Sequence, residues 1–148
     1  MAIELALRGM RNNEGGPFGA VIVKDNAIIG QGNNCVISTN DPTAHAEIVA
    51  IREACQHINN FWLNDCVIYA SCEPCPMCLG AIYWARLSKV YFGCTRKDAA
   101  QIGFDDEFIF KELQIPVRER SIPMESLSRD IALSVFVEWT EKRDKSPY

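Results

Sequence analysis

Two features of the sequence predict a three-layer α/β/α domain. Short apolar runs of strand length alternate with segments of helical periodicity, and residues 66–93 read as a strand, a helix and a strand in close succession. Such a connection joins parallel strands by a right-handed crossover and places its helix on one face of the sheet. The 148 residues and the 48% hydrophobic composition suit a single domain with its own core. We therefore expect one domain over residues 1–148.

The N-terminal part predicts a helix followed by a hairpin. Apolar residues recur at helical spacing over residues 3–10. Residues 18–24 and 27–32 are rich in β-branched side chains, and the Asp25-Asn26 pair between them is a strong signal for a tight turn. These two runs are expected to be adjacent antiparallel strands.

A second helix is predicted from the turn at residues 40–43 to about Ile58, because apolar residues again follow a helical stripe. Thr43 and Glu47 are available to cap its N-terminus. Residues 66–70 then form a continuous apolar run, which is typical of a strand that is buried on both faces.

The second half of the chain predicts three more helices and one more strand. Pro76 suits the first turn of a helix over residues 76–87, and a strand is expected at 89–93. A further helix is predicted around residues 105–113. The last helix places four apolar residues on one face: Leu127, Ile131, Val135 and Trp139.

Charge and cysteine content indicate a cytoplasmic protein with a small uncharged ligand. The net charge is −4 and the sequence pI is 5.2, whereas a nucleic-acid-binding domain usually has a basic face or a pI above about 9. The seven cysteines are odd in number and lack disulfide-framework spacing, as is typical of a reducing compartment. No apolar run is long enough for a bilayer span, and the N-terminus lacks the pattern of a signal peptide. We expect neither a nucleic-acid partner nor a membrane.

A histidine and a Cys-x-x-Cys pair predict a catalytic zinc site. His45 lies 30 residues before Cys75, and Cys78 completes the pair. Three protein ligands leave one tetrahedral position for water, which is the arrangement of a catalytic rather than a closed zinc site. The alternative is a closed site with Cys72 or Glu73 as the fourth ligand. An iron–sulfur cluster fits less well, because its usual cysteine spacings are absent.

Helix geometry constrains how these residues can meet. His45 and Glu47 are two positions apart and would point in roughly opposite directions on a helix, at about 100° per residue. They can share a site only if that helix approaches it by its N-terminus. Cys75 and Cys78 stand at the start of the next helix, where the partial positive charge favours thiolate. Glu47 is then placed for general acid–base chemistry.

The spacing H-x-E followed by P-C-x-x-C is the signature of the zinc nucleobase deaminases. From Gly16 to about Phe110 the chain resembles the cytidine and nucleotide deaminase superfamily, and within it the bacterial-type guanine deaminases. The resemblance rests on five segments: residues 16–20, 33–34, 40–47, 81–86 and 103–108. It implies a central mixed five-stranded sheet, one Zn²⁺ per subunit, and hydrolysis of guanine to xanthine and ammonia. It also implies a homodimer, in which subunits could exchange the segment of about residues 121–148.

The same resemblance implies roles for individual residues. Glu47 would relay a proton to N3 of guanine and then to the leaving amine, with Asp106 as a second proton-handling or amidine-binding carboxylate. The implied substrate contacts come from five residues: Asn34, Phe18, Trp84, the backbone N–H of Ala46, and Tyr148 folding over the site from its own or a partner subunit. Core packing is the alternative for both Phe18 and Trp84, and an ordinary solvated carboxylate is the alternative for Asp106.

Three other functions remain open from the sequence. A tRNA adenosine deaminase shares the zinc motif and the size, but it requires a basic groove for the RNA. A deaminase of cytosine, a nucleoside or another aminoheterocycle would use the same chemistry. A non-catalytic zinc-stabilised interaction module belongs to a different class, and it would have no use for Glu47.

Overall fold

The structure, a computed structural model, describes residues 1–147, and Tyr148 lies outside the described residues. The helices and strands follow in chain order as α1 (Ala2–Arg11), β1 (Gly19–Lys24), β2 (Ala27–Asn33), α2 (Val36–Thr39), α3 (Ala46–Ile58), β3 (Val67–Cys72), α4 (Pro76–Trp84), β4 (Lys89–Cys94), α5 (Arg96–Gln101), α6 (Glu107–Gln114) and α7 (Arg129–Glu141), with a 3₁₀ helix at Val117–Glu119 before α7. The chain divides into two compact units, Met1–Glu107 and Phe108–Tyr148.

The sheet belongs to the first unit and has the order β2-β1-β3-β4. β1 is antiparallel to β2 and to β3, whereas β3 and β4 are parallel, as the strand–helix–strand spacing predicts. The expected fifth strand is wrong for the described residues, which form four. Immediately after β4, Thr95 and Asp98 form a reciprocal capping box that begins α5, so the chain turns into a helix at this point.

The predicted hairpin is confirmed. Lys24 of β1 pairs with Ala27 of β2, so the loop has two residues. Both of them, Asp25 and Asn26, have positive φ angles of 48° and 62°. A two-residue turn with positive φ at both positions matches the right-handed twist of the strands, and aspartate and asparagine tolerate that conformation.

Helices cover the two faces of the sheet, which confirms the three-layer expectation for the first unit. A Cβ on Gly19 would lie 2.2 Å from the carbonyl oxygen of Ala2, so α1 lies directly on this strand. A Cβ on Gly30 would lie 2.4 Å from the carbonyl oxygen of Ala50, so α3 is equally close. Gly30 pairs with Ile22, three residues from Gly19, and side chains three apart on a strand point to opposite faces. The missing side chains therefore allow close helix–sheet approach on both faces.

The main core lies between the sheet, α3 and α4. It is built mostly from small and β-branched residues, namely Ala20, Ile22, Ile29, Ala46, Ala50, Ala54, Leu63, Cys66, Ile68, Ile82 and Ala85. β3 is buried on one face only, so the expectation of two buried faces is wrong. Ile68 is fully buried, whereas Tyr69 is 42% exposed and stacks on Tyr91 of β4.

The second unit contains the rest of α6, the 3₁₀ helix and α7. The predicted late helix is confirmed as α7, yet none of its side chains is buried. Leu127, which precedes α7, is 87% exposed, and within the helix Ile131 is 75% and Phe136 is 69% exposed. None of the helices in the described part of the chain is long and apolar enough to cross a membrane.

Candidate metal centre

His45 stands immediately before the first residue of α3. It is the N-cap residue, with an extended backbone (φ −69°, ψ 155°), and its carbonyl oxygen accepts the Val49 N–H. The expected capping by Thr43 is wrong, because the backbone N–H and the hydroxyl of Thr43 both donate to Asp41, 2.8 and 2.7 Å away. This turn starts the helix at Ala46 instead, and it leaves the imidazole at the helix end.

Cys75 and Cys78 stand at the start of α4, as the spacing predicts. Cys75 is the N-cap residue and also has an extended backbone (φ −66°, ψ 168°). Pro76 occupies the first turn, where its missing N–H costs no hydrogen bond. One turn of helix brings the Cys78 side chain round to the Cys75 thiol, and Cys78 is fully buried. The N-termini of α3 and α4 therefore meet at one point.

The three side chains fit a tetrahedral zinc ion. Nδ1 of His45 lies 3.5 Å from Sγ of Cys75 and 3.5 Å from Sγ of Cys78, and all three ligand atoms lie within 4.8 Å of one another. Zn–S and Zn–N bonds of about 2.3 and 2.0–2.1 Å at a tetrahedral angle separate sulfur and nitrogen by about 3.5–3.6 Å. The sulfur–nitrogen spacing is thus that of a zinc site, and the donor set is one that zinc prefers.

The two alternative fourth ligands are engaged elsewhere. The Cys72 thiol donates to the carbonyl oxygen of Thr95 at 3.5 Å, and burial raises its pKa to about 11, so the thiol is protonated at neutral pH. Glu73 accepts the backbone N–H of Arg96 at 3.1 Å. Among the described residues, the metal-ligand group contains three side chains. The arrangement favours an open site over a closed one.

The pKa values of the two ligand thiols are shifted in opposite directions. The hydrogen bond from Cys78, with smaller contributions from His45, lowers the pKa of Cys75 to about 4 despite burial. The pKa of Cys78 is raised, first because its thiol donates to Cys75 and then because it is buried. The pKa of His45 is raised by its hydrogen bond with Cys75. A divalent cation placed among them displaces these protons and holds both sulfurs as thiolates.

Glu47 is a buried carboxyl group beside the ligands. Only 8% of the residue is exposed, and burial raises the pKa of its carboxyl group. Its side chain makes a hydrogen bond with Cys78 and feels the charges of Cys75 and His45. A buried carboxyl group with a raised pKa beside the ligands can take a proton and give it back, which is the property of a general acid–base.

A cavity of about 440 Å³ opens in front of the ligands, within the first unit. Its walls include six residues that the sequence predicted for the site: Phe18, Asn34, His45, Glu47, Cys75 and Asp106. The side-chain oxygen of Asn34 accepts the backbone N–H groups of Gly16 at 3.3 Å and Val36 at 3.2 Å. Burial raises the pKa of Asp106, and the charge of Cys75 raises it further.

Two predicted substrate contacts are not part of this wall, and a third cannot be placed because it lies outside the described residues. Trp84 is 71% exposed at the end of α4, outside the lining of the cavity in this chain. Ala46 packs its side chain into the core, so only its backbone stands at the start of α3. The prediction for Tyr148 falls outside the described residues.

Two groups lining the cavity were not predicted. Phe104 packs edge-to-face on Phe18, with ring centroids 4.9 Å apart, and Gly16 leaves room for this pair because a Cβ there would lie 2.9 Å from the Phe104 ring. Arg96 also lines the cavity and pairs with Glu107 at 3.4 Å. Phe104 stands two residues before Asp106 in a segment already marked by resemblance, and that proximity is the signal that could have found it.

Comparisons with known proteins agree with this geometry. The family described as the cytidine and deoxycytidylate deaminase zinc-binding region matches residues 1–94. Guanine deaminase of Bacillus subtilis (strain 168) is 52% identical over 99% of this chain and 94% of its own length. Its crystal structure superposes with a TM-score of 0.96 over the same shares of both chains. A tRNA-specific adenosine deaminase of Buchnera aphidicola subsp. Schizaphis graminum (strain Sg) is 45% identical over 66% of this chain and 64% of its own.

Proposed function

The chain belongs to the cytidine and deoxycytidylate deaminase family, and we propose that it hydrolyses guanine to xanthine and ammonia with one zinc ion per subunit. The observation that carries the proposal is the meeting of His45, Cys75 and Cys78 in one ligand group, beside a cavity that His45, Cys75 and Glu47 line. The substrate follows from the similarity to a guanine deaminase, which continues through the C-terminal third of the chain. Xanthine production places the protein in purine metabolism.

His45, Cys75 and Cys78 hold the zinc ion, which when bound lowers the pKa of a coordinated water toward about 7. Glu47 accepts a proton from the attacking water and delivers it to N3 of guanine. The water oxygen forms a bond to C2, and the bond from C2 to the exocyclic amine then breaks. Glu47 takes the second proton of the former water from the oxygen on C2 and carries it to that amine as it leaves. C2 keeps a carbonyl oxygen, so one guanine and one water become one xanthine and one ammonia.

The cavity walls position the purine for this transfer. Phe18 packs against the ring, and its edge-to-face contact with Phe104 fixes the angle of that wall. Asn34 donates a hydrogen bond to the purine, and the backbone N–H of Ala46 meets the base or the developing anion at the start of α3. Asp106 handles a second proton or binds the amidine edge, and its raised pKa suits that role.

A homodimer completes the protein in this proposal. The apolar side chains of α7 are exposed in the chain, which is expected of a helix that packs on a second subunit. Residues 1–148 then form one deaminase domain whose segment of about 121–148 is exchanged between subunits. Trp84 lies outside the lining of its own cavity, so a contact from Trp84 to the purine would be made in the partner's site. Tyr148 closes over one of the two sites.

The cytoplasm is the proposed location. The described cysteines are free thiols, and the three-ligand site needs two of them reduced. A reducing compartment keeps them in that state.

The alternative with the strongest support is a tRNA adenosine deaminase. The tRNA-specific enzyme of Buchnera aphidicola is 45% identical to this chain over 66% of it. Such an enzyme needs basic side chains along the RNA backbone. The net charge of −4 gives no such surplus of positive charge, so guanine is the better substrate.

Ammonia release from a panel of substrates tests the proposal. Purified protein with its zinc content measured is incubated with guanine, adenine, cytosine, guanosine and cytidine. We expect release from guanine, with xanthine as the product at one equivalent per ammonia, and Glu47→Ala protein as the matched blank. Release from cytosine or a nucleoside with none from guanine would overturn the substrate. No release from any of the five compounds by zinc-loaded protein would favour a non-catalytic module.

A further inference from the structure

The side-chain amide of Asn34 uses its oxygen within the protein, which leaves its NH₂ group for a ligand. Its oxygen accepts two backbone N–H groups, from Gly16 at 3.3 Å and from Val36 at 3.2 Å. An amide oxygen can accept these N–H groups and an amide NH₂ group cannot, so the network fixes which way the amide is turned. Asn34 is 5% exposed and lines the cavity, which receives the remaining NH₂ group as a pure donor.

The loop that supplies the Gly16 N–H is held by Glu14. One carboxylate oxygen of Glu14 accepts the side-chain N–H of Asn33 at 2.7 Å. The same amide group of Asn33 reaches the carbonyl oxygen of Asn34 at 3.2 Å. The backbone of Glu14 is fixed as well, because its carbonyl oxygen accepts the N–H groups of Ile37 at 3.1 Å and Ser38 at 3.0 Å.

Glu14 thus joins the end of α1, the end of β2 and the start of α2 around Asn34. Its own N–H donates to the carbonyl oxygen of Gly9 at 3.0 Å. Two glycines make room for the contact: a Cβ on Gly9 would lie 2.3 Å from Nδ2 of Asn33, and a Cβ on Gly15 would lie 2.1 Å from Oδ1 of Asn34. The pKa of Glu14 is lowered chiefly by the hydrogen bond from Asn33, so the carboxylate is charged at neutral pH.

We propose that Glu14 is a positioning residue for substrate recognition, which through Asn33 and the loop at residues 14–16 keeps the NH₂ group of Asn34 turned toward the cavity. This inference rests on the proposed function, since it concerns how that cavity reads a purine. In this proposal the 6-position of the purine faces the Asn34 donor, which binds an oxo group and opposes an amino group. The contacts of Glu14 therefore contribute both to the affinity for the purine and to the preference for 6-oxo over 6-amino purines.

The test compares Glu14→Ala with Glu14→Gln in zinc-loaded protein. The alanine variant loses the acceptor for Asn33, whereas the glutamine variant keeps an oxygen that can accept the same N–H. We expect Glu14→Ala to raise KM for guanine about tenfold with kcat nearly unchanged, the size of one lost hydrogen bond. Glu14→Gln should restore most of the affinity. Glu4→Ala, also a charged residue of the N-terminal segment, is the matched control because its ion pair with the N-terminus is exposed.

Two further measurements distinguish a positioning role of Glu14 from a general loss of protein stability. The ratio of kcat/KM for guanine to that for 2,6-diaminopurine should fall about tenfold in Glu14→Ala, because the loop that supplies the Gly16 N–H loses its tie through Asn33 and holds the Asn34 amide less firmly. Gly15→Ala should cause the same fall, because the new methyl group displaces Asn34 Oδ1 directly. A fall in Tm without a change in that ratio would show a merely structural role and would overturn the proposal.

Binding of hypoxanthine separates this inference from the proposed function. Hypoxanthine has the 6-oxo group but no amine at C2, so its Kd reports recognition without turnover. If wild-type protein binds hypoxanthine but releases no ammonia from guanine, the proposed function fails, and the ratio of Kd values between Glu14→Ala and wild type still decides the inference. A Kd that is unchanged in Glu14→Ala, or raised equally in Glu14→Gln, would contradict it.

Discussion

Helices α3 and α7 have equal length but differ in burial. Each spans 13 residues and carries apolar side chains at helical spacing. α3 buries four residues, including the alanines Ala50 and Ala54, against glycines of β2, whereas α7 buries none. The periodic pattern therefore predicts that a helix forms, but it does not say what the helix packs on. In α3 the small residues and their glycine partners identify the packing surface within the chain.

The difference has a functional counterpart. α3 presents His45 and Glu47 at its N-terminus, so its packing on the sheet holds a metal ligand and the acid–base carboxyl group in position. α7 exposes several large apolar side chains, and covering each one is worth about 1.5–3 kcal/mol. We infer that α3 serves the reaction and α7 serves assembly. Substitutions in the two helices and in the segments next to them should then have different consequences.

The largest effect is expected at the zinc ligands. Cys78→Ser should abolish zinc binding and reduce activity to background, because the buried sulfur is one of three ligands. Cys94→Ser is the matched control, since this thiol is exposed and lies outside the ligand group. Metal content by atomic emission and xanthine formation are measured on both. Activity in zinc-free Cys78→Ser protein would refute the assignment.

The next effect concerns the acid–base step at the start of α3. Glu47→Gln should lower kcat by about 10²–10⁴-fold, the usual contribution of general acid–base catalysis, while zinc content stays at one per chain. Glu53→Gln on the same helix is the control, because its side chain accepts the Gln31 N–H and glutamine can still do so. If Glu47→Gln retained more than a tenth of wild-type kcat, the carboxylate would not be the proton carrier.

These two results concern the side chains whose place in the fold the sequence predicted. His45, Cys75 and Cys78 lie within a few residues of two helix starts, so local spacing is enough to bring each of them to a helix end. The contact between Phe18 and Phe104 was missed, because it depends on how distant segments pack.

Other errors arose where local and tertiary choices compete. Thr43 was expected to cap the helix, but its hydroxyl donates a hydrogen bond to Asp41, and the helix begins three residues later, at Ala46. The capping box of Thr95 and Asp98 turns the chain into a helix after β4, so the described residues form four strands rather than five. Trp84 lies on the predicted helix and outside the cavity lining of its own chain, so its contact with the purine stays a prediction.

A smaller effect is expected at the C-terminus. Deleting Tyr148 should lower kcat/KM for guanine about tenfold, because a lost hydrogen bond or ring contact at a closed site has that magnitude. Zinc content should not change, since all three ligands lie in the first unit. Lys145→Ala serves as a control for a change in the tail that keeps its last residue. An unchanged rate after the deletion would exclude Tyr148 from the site.

The last prediction concerns association of two subunits through α7. Ile131→Lys should shift the protein from dimer to monomer in light scattering, because a charge on an apolar contact face opposes association. Glu138→Lys, a charge change on a polar position of the same helix, should leave the dimer intact. A wild-type protein that is monomeric at micromolar concentration would contradict the assembly role of α7.

The most direct test is a competition between the two substrates that this family architecture allows. Zinc-loaded protein is incubated with equal concentrations of guanine and a tRNA anticodon stem-loop that contains the target adenosine, and xanthine and inosine are measured in the same samples. We predict that xanthine accumulates with an equal amount of ammonia and that inosine stays at the level of the Glu47→Gln blank. Inosine without xanthine would contradict the central claim.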